Sequence, residues 1–403
     1  MTASRTGFRW LVAVSAALGL ATAANSLVIY SFGPLLNSLN REFGWSRGDV
    51  SMALTGYLLG NILLMPLVGR VTDRFGSRIL VLWSKMGLLL CFPLLALLTK
   101  NVLGYYIVFL GVALLGAGTS QVAYVRLVSH WFEENRGLAL GLVLAGTGVG
   151  ATVIPYLTSI LIQEVGWRMA CVILPALLFL LSFPFEWRFL RDNPATLPAP
   201  ARTGAAPDTA ASIPLRQAVR GRPFLVLGAA FFLIGVAFSA MSTHLIPLLT
   251  DHGASLQFAA MVQGSIGVSL LVGRIGVGYL LDRLFVPYLA IALLAGAIIS
   301  IPVLGSGAGG VTAILCAVAL GIAAGAEIDV LAYLGGRYFG LQWFGQIYGV
   351  LSALFLCGGT IGPYVFGVMF DHFGDYVLSS RIMTGLLIVA ATLMATLPRY
   401  RRA

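Results

Sequence analysis

The stretch Gly69-Arg-Val-Thr-Asp73-Arg74-Phe-Gly76-Ser-Arg78 joins two long apolar segments and decides the fold. Its glycine, aspartate and arginine return 209 residues later as Gly278-x-x-x-Asp282-Arg283. Two further matches recur at offsets of 207 and 208 residues: Trp131-Phe132 with Tyr338-Phe339, and Pro155-Tyr156 with Pro363-Tyr364. A repeat at half the chain length predicts two structurally related halves.

The composition excludes a soluble globular protein, because 59% of the 403 residues are hydrophobic, only 10% are charged and the mean hydropathy is +0.93. Apolar runs of about 20 residues can each cross a bilayer as a helix, and they are too long for barrel strands. We therefore predict an all-α membrane protein with twelve transmembrane spans, numbered 1 to 12 in chain order: 10–34, 49–70, 79–99, 103–128, 137–162, 168–187, 223–250, 258–281, 285–304, 309–335, 345–370 and 376–397.

The arginines predict the orientation of these spans. If the N-terminus is cytoplasmic, 17 arginines fall in cytoplasmic segments and five basic residues in outer segments, which places both termini in the cytoplasm. The net charge of +10 is thereby explained by topology, and we expect no nucleic-acid partner. A cleaved signal peptide over residues 1–24 is the competing interpretation, but it would leave eleven spans.

The only long polar stretch, 188–222, contains six prolines or asparagines that interrupt helix and several arginines. It predicts a cytoplasmic linker, and hence a division into an N-terminal six-helix bundle over 1–187, a linker over 188–222 and a C-terminal six-helix bundle over 223–403. The four cysteines all lie in apolar spans, so we expect no disulfide framework, no metal site and no cofactor.

The stretch from Gly69 to Arg78 resembles the loop motif between helices 2 and 3 of the major facilitator superfamily. The resemblance implies two pseudo-symmetric six-helix bundles that rock about a central cavity and expose it alternately to each side. Asp73 stands at a helix end, where it can pair with basic groups or a helix N-terminus in one conformation only. The expected conformational latch comprises Gly69, Asp73, Arg74, Gly76, Arg78, Asp282 and Arg283; alternatively, these loop charges only enforce the topology.

Ionisable residues inside the spans point to a transport pathway because they are costly there. Arg274 lies eight residues before Asp282, which places it about 12 Å from the boundary at 1.5 Å per residue. A guanidinium at that depth presents paired donors that match a carboxylate. We expect Arg274 to bind an anionic substrate, with a permanent ion pair to an acid of span 10 as the alternative.

Glu327 and Asp329 in span 10 are the candidate proton-coupling residues. Their two-residue spacing turns the side chains to faces about 200° apart, so we expect one of them to reach the cavity, Glu327 before Asp329. Two other charges have structural interpretations: Arg126 is expected to pair with Glu133, Glu134 or an acid of span 10, and Lys85 to extend to the inner surface.

Six polar or aromatic side chains lie at depths compatible with lining a substrate cavity, although each could be a packing residue instead. They are Tyr30, Asn61, Gln121, Tyr124, Tyr333 and Tyr364.

Gly273-Arg274-Ile-Gly-x-Gly278 and the run from His130 to Gly141 resemble the monocarboxylate porter and oxalate:formate antiporter branches of the superfamily. The resemblance implies that Arg274 holds the substrate carboxylate and that Tyr30 and Tyr124 line its pocket. The chain departs from the branches twice. Leu270 stands where animal monocarboxylate porters have an aspartate, and span 11 lacks the antiporter's lysine, so a single carboxylate is expected.

These observations predict a secondary active transporter of a small organic monocarboxylate anion, coupled to protons and working by alternating access. We expect a monomer in a bacterial inner membrane, with the organic anion, the proton and the lipid bilayer as partners. The alternatives are an efflux carrier for a drug-like or siderophore-like compound and, in another class, a non-transporting membrane sensor. Enzyme activity is not expected, because the sequence has no HExxH, GxSxG or nucleotide-binding loop.

Overall fold

The computed structural model describes residues 2–45, 47–98, 101–132, 134–193 and 213–399, and within them every regular element is helical. The helices are α1 (Thr2–Ala21), α2 (Ala24–Phe43), α3 (Arg47–Phe75), α4 (Ser77–Cys91), α5 (Leu94–Leu98), α6 (Val102–Gly116), α7 (Gln121–Ser129), α8 (Arg136–Phe189), α9 (Leu215–Ala218), α10 (Arg222–Asp251), α11 (Leu256–Leu281), α12 (Val286–Gly305), α13 (Gly310–Phe339), α14 (Phe344–Phe373) and α15 (Val377–Ala395), with a 3-10 turn at Ala117–Thr119.

Eleven helical stretches in the described residues are long and apolar enough to cross a membrane. One of them, α8, is 54 residues long and contains a non-helical residue, Gly166, with φ 79° and ψ 160°. Glycine adopts this left-handed φ without steric cost, so the chain turns there and α8 supplies both span 5 and span 6. The predicted all-helical fold with twelve spans is confirmed.

Several spans are interrupted, which their apolar composition did not predict. Span 1 consists of α1 and α2, separated at Thr22 and at Ala23, whose backbone is extended with φ −69° and ψ 162°. Span 4 consists of α6, the 3-10 turn and α7, with the extended residue Ser120 between the last two. Backbone groups freed by such breaks need other partners, because lipid offers none.

The chain divides into two compact units. Unit 1 comprises Met1–Glu133, Leu142–Ala210 and Leu341–Gly349, and unit 2 comprises Glu134–Gly141, Ala211–Gly340 and Val350–Ala403. The first residues of α14 therefore belong to unit 1, and the first residues of α8 belong to unit 2. Of the predicted linker, residues 194–212 lie outside the described part of the chain.

Each unit has an apolar interior. In unit 1, Leu27, Tyr57, Phe92 and Phe109 belong to one buried cluster supplied by several helices. In unit 2, α10, α12 and α15 bury apolar side chains along their lengths. Large apolar side chains also cover outer faces, where Leu63 is 79% exposed, and a bilayer is the solvent that suits such a surface.

Candidate functional site

The backbones of α11 and α13 touch in unit 2, and glycines make this possible. A Cβ atom added to Gly321 would lie 2.5 Å from the carbonyl oxygen of Ile266, and one added to Gly325 would lie 2.4 Å from that of Leu270. Both pairs are 55 residues apart, so the two helices run in register. Asp329 lies one turn after Gly325, on the face of α13 that meets α11, and Arg274 lies one turn after Leu270 on α11.

Arg274 and Asp329 are both buried, with 6% and 0% of their surface exposed. The positive charge of Arg274 acts on Asp329 and also on Glu327. Neither carboxylate oxygen of Asp329 accepts a hydrogen bond within the described residues. The carboxyl group of Asp329 is therefore buried within the electrostatic reach of Arg274, and its oxygens have acceptor capacity that no described residue uses.

Glu327 points to a different face of α13. It lines a cavity inside unit 2 whose other lining residues are apolar and come from α10, α12, α13 and α15: Phe231, Ile234, Phe238, Ala290, Leu293, Leu294, Ala323, Ala326, Val330 and Met394. Its Oε2 atom accepts no hydrogen bond from any described residue. The two-residue spacing thus separates the two acids, with Asp329 on the face that meets α11.

Four of the six side chains expected to line a cavity belong to unit 1. Tyr124 is fully buried, and its hydroxyl donates to Glu186 Oε1 at 2.5 Å. Asn61 donates its side-chain N–H to the carbonyl oxygen of Tyr57 at 2.9 Å. Tyr30 packs half-buried against the apolar cluster, and Gln121 is the half-buried first residue of α7. The polar groups of Tyr124 and Asn61 are therefore engaged within unit 1.

The other two side chains belong to unit 2. Tyr333 is 3% exposed, and its hydroxyl accepts a hydrogen bond of 3.0 Å from Arg337. Tyr364 is 75% exposed. Of these two, only Tyr364 presents its ring to the surroundings of unit 2.

Asp73, at the end of α3, caps the first turn of α14. Its Oδ1 accepts from Gly345 N at 3.0 Å and its Oδ2 from Gln346 N at 2.9 Å. Gly69 packs on the same segment, because a Cβ there would lie 2.0 Å from the carbonyl oxygen of Gly345. A carboxylate at a helix N-terminus satisfies N–H groups that the helix leaves unpaired.

Asp282 repeats this arrangement in unit 2. Its two carboxylate oxygens accept from Gly137 N at 2.9 Å and Leu138 N at 3.2 Å, at the start of α8. Gly278 approaches Gly137 closely in turn, since a Cβ on Gly278 would lie 2.7 Å from the Gly137 carbonyl oxygen. Each half of the repeat thus supplies an aspartate that caps one helix.

Arg126 joins the Asp73 cluster. Its Nε lies 2.7 Å from Asp73 Oδ1, and one of its terminal nitrogens lies 3.8 Å from Asp192 Oδ1. The pairing expected with Glu134 or an acid of span 10 is therefore wrong, and Glu133 lies outside the described residues. The acids that pair with Arg126 are Asp73, at the end of span 2, and Asp192, just after span 6. Their distance from Arg126 along the sequence did not indicate this pairing.

The remaining latch residues hold the turn between α3 and α4. Gly76 has φ 87°, and Asp192 accepts hydrogen bonds from the N–H groups of Ser77 and Arg78 at 2.8 and 3.0 Å. The Arg78 side chain donates to the carbonyl oxygen of Trp187 at 2.8 Å. Arg74 lies over the ring of Phe75 and Arg283 over that of Tyr279.

Lys85 does not extend to a surface, so that prediction is wrong. The residue is 3% exposed and lies 3.7 Å from Glu186 Oε2 inside unit 1. Glu186 was missed altogether by the sequence reasoning. The cost of ionisable groups inside spans could have found it, because Lys85 and Glu186 are opposite charges in apolar spans of the same half.

The model of the Major Facilitator Superfamily matches residues 18–363 of the chain. This chain belongs to the Major Facilitator Superfamily. It is 26% identical to human Monocarboxylate transporter 11 over 98% of this chain and 83% of that protein. It is 25% identical to the Agnestins efflux protein AgnL12 of Paecilomyces divaricatus over 83% of this chain and 74% of that protein.

Solved structures share the fold. The E. coli fucose:proton symporter FucP superposes with a TM-score of 0.72, covering 96% of this chain and 97% of that one at 15% identity. The match to the family model makes the chain a multi-pass membrane transporter of this superfamily, and the solved structure adds the likeness in fold.

Proposed function

We propose that this transporter carries a small organic monocarboxylate together with a proton by alternating access. The observation that carries the proposal is the position of Arg274, buried in α11, whose positive charge acts on the buried Asp329 of α13. The name of the human relative, Monocarboxylate transporter 11, and the resemblance of the α11 sequence to monocarboxylate porters support the same substrate class.

Charge balance explains why a proton accompanies the anion. A buried arginine needs one negative charge nearby, because an unpaired charge away from water is costly. In the resting site Asp329 supplies that charge. When Asp329 takes up a proton, the arginine can exchange its counter-ion for the substrate carboxylate, whose two oxygens fit the guanidinium fork. One proton then enters with each monoanion, and transport is electroneutral.

Glu327 is the second candidate for the coupling acid. It lies two residues from Asp329 and feels the charge of Arg274, but it lines an apolar cavity of unit 2 rather than the face toward α11. The two aspartate caps are proposed to act as the latch, since Asp73 and Asp282 would each release a helix N-terminus when the conformation changes. We further propose cytoplasmic termini, a monomer and a bacterial inner membrane.

Uptake by proteoliposomes tests the proposal. Labelled lactate or pyruvate is offered with an inward proton gradient to wild type, Arg274→Lys, Asp329→Asn and Glu327→Gln. Arg274→Lys should abolish uptake, because an ammonium cannot reproduce the two-pronged contact. Asp329→Asn should keep substrate exchange without a gradient but lose acceleration by external acid. Glu327→Gln should retain both.

Arg381→Lys is the matched control, since Arg381 is exposed near the start of α15 and should tolerate the same change. If Glu327→Gln loses gradient-driven uptake and Asp329→Asn keeps it, the coupling role belongs to Glu327. Full uptake by Arg274→Lys refutes the anion site.

An efflux carrier is the second candidate function, favoured by the similarity to AgnL12. Counterflow experiments separate the two, because an efflux carrier for a larger compound would exchange no monocarboxylate. Extrusion of lipophilic compounds from loaded vesicles, without any exchange of lactate or pyruvate, would favour efflux.

A further inference from the structure

The break in span 1 exposes backbone groups inside unit 1. Ala24 N, freed at the break, donates to the side-chain oxygen of Thr119 at 2.9 Å. Thr119 itself belongs to the 3-10 turn that interrupts span 4. Two interrupted spans therefore meet at this point, where carbonyl oxygens also need donors.

Lys85 supplies those donors. Its Nζ donates to the carbonyl oxygens of Gly19 and Thr22, both at 3.0 Å, to Thr22 Oγ1 at 2.5 Å and to Ser182 Oγ at 3.1 Å. An ammonium has three protons, so these four oxygens already use its whole donor capacity. The ammonium is held by the broken span whether or not a carboxylate bonds to it.

Glu186 completes the cluster through charge and one hydrogen bond. The residue is 0% exposed, and its Oε1 accepts from the Tyr124 hydroxyl. Its Oε2 lies 3.7 Å from Lys85 Nζ, beyond hydrogen-bonding distance, and accepts no hydrogen bond from the described residues. One carboxylate oxygen thus remains open in a fully buried place.

Several segments contribute the polar groups around the Glu186 carboxylate. α1 and the break that follows it contribute carbonyl and hydroxyl oxygens, α4 contributes Lys85, and α7 contributes Tyr124. The next charged group on α7, Arg126, is already paired with Asp73 and lies near Asp192. Loss of the Glu186 charge would leave every hydrogen bond of Lys85 in place.

We propose that Glu186 is a proton-binding site inside unit 1, separate from the Arg274 site. A proton from water forms an O–H bond at Oε2, and the carboxylate becomes a carboxylic acid while Lys85 stays an ammonium. The cluster then passes from zero net charge to one positive charge at the junction of the two interrupted spans. A link between this proton and substrate movement rests on the proposed function; the site itself does not.

Infrared difference spectroscopy of the purified protein, without substrate, tests the site directly. A Glu327→Gln/Asp329→Asn background removes the two acids of α13 from the spectrum, and Asp73, the other buried acid among the described residues, is held in its ion pair with Arg126. On acidification of the folded protein, the carbonyl band of a protonated buried carboxylic acid should appear. Adding Glu186→Gln should abolish this band, whereas adding Glu164→Gln, at an exposed residue of α8, should leave it unchanged.

Tyr124→Phe provides a second variant that keeps the acid. The band should persist but move in frequency, because the carbonyl loses the hydrogen bond from the tyrosine hydroxyl. The proposal is overturned if no band titrates in the folded background protein, if the band survives Glu186→Gln, or if Tyr124→Phe leaves its frequency unchanged. None of these outcomes depends on whether a monocarboxylate is carried, so a failure of the proposed substrate is seen separately in the uptake assay.

Discussion

Replacing Asp73 by asparagine should destabilise the protein far more than the same change at Asp282. The Asp73 carboxylate accepts two backbone N–H groups and lies 2.7 Å from Arg126 Nε, with 3% of each side chain exposed. Asparagine offers a single acceptor oxygen and no charge, so Arg126 would lose its main partner. Removing one member of a buried ion pair costs about 3–5 kcal/mol. Because Asp192 lies 3.8 Å from Arg126 and can compensate in part, we expect about 3 kcal/mol.

Asp282 is the matched control, because it caps a helix through two backbone N–H groups and is only partly buried. Asp282→Asn should cost about 1 kcal/mol, the usual value of an N-terminal cap. The assay is unfolding in mixed micelles titrated with denaturing detergent, including Arg126→Gln and the double variant with Asp73→Asn. The double variant should lose much less unfolding free energy than the sum of the losses in the two single variants. The reasoning would be refuted if Asp73→Asn and Asp282→Asn lost equal stability, or if the losses of Asp73→Asn and Arg126→Gln were additive in the double variant.

Three further predictions follow from packing, charge and burial. Gly325→Ala should reduce uptake roughly tenfold to a hundredfold, because a Cβ atom 2.4 Å from the Leu270 carbonyl oxygen forces α11 and α13 apart. The control variant Gly385→Ala should transport normally, because Gly385 has open space around it. The hydrogen bond from Trp167 Nε1, and then the nearby Arg168, lowers the pKa of Glu42 below its ordinary 4.5. The ionised Glu42 therefore stabilises the folded protein above pH 4.5, and this stabilisation is lost as the pH falls through the lowered pKa. Glu42→Gln should consequently flatten the loss of thermal stability that is measured between pH 5 and pH 3. Maleimide labelling of the folded protein, followed by mass spectrometry, should modify the half-buried Cys316 and Cys357 before the buried Cys91 and Cys171. Labelling in the reverse order would contradict the burial of these side chains.

The sequence predicted the helical fold because hydropathy is a local property that accumulates along each span. Asp73 and Asp282 were found from a second signal in the sequence, since the motif that contains them recurs at half the chain length. Charges inside spans pointed to Arg274, Glu327 and Asp329. These signals require no knowledge of which helices are neighbours.

The partners of these charges could not be obtained in this way. Arg126 pairs with Asp73, 53 residues away, and Lys85 lies beside Glu186, 101 residues away. Neither separation has a periodicity that sequence reasoning can use, because the choice depends on how several helices pack. The interruption of span 1 was also invisible, since its residues are as apolar or small as those of an unbroken helix.

The amino-acid sequence alone determined that this protein is a helical membrane protein built from a duplicated set of spans, because hydropathy shows the bilayer crossings and the spacing of motifs shows the repeat; its resemblance to the major facilitator superfamily added the transport function. Only the tertiary structure decided that Glu327 lines an apolar cavity while Asp329 lies on the face of α13 that meets α11, and that Lys85 is buried among the oxygens of a broken helix. The first fact follows from the close approach of the α11 and α13 backbones at Gly325. The second follows from the absence of a side chain at Gly19, where a Cβ atom would collide with the side chains of Glu186 and Tyr124.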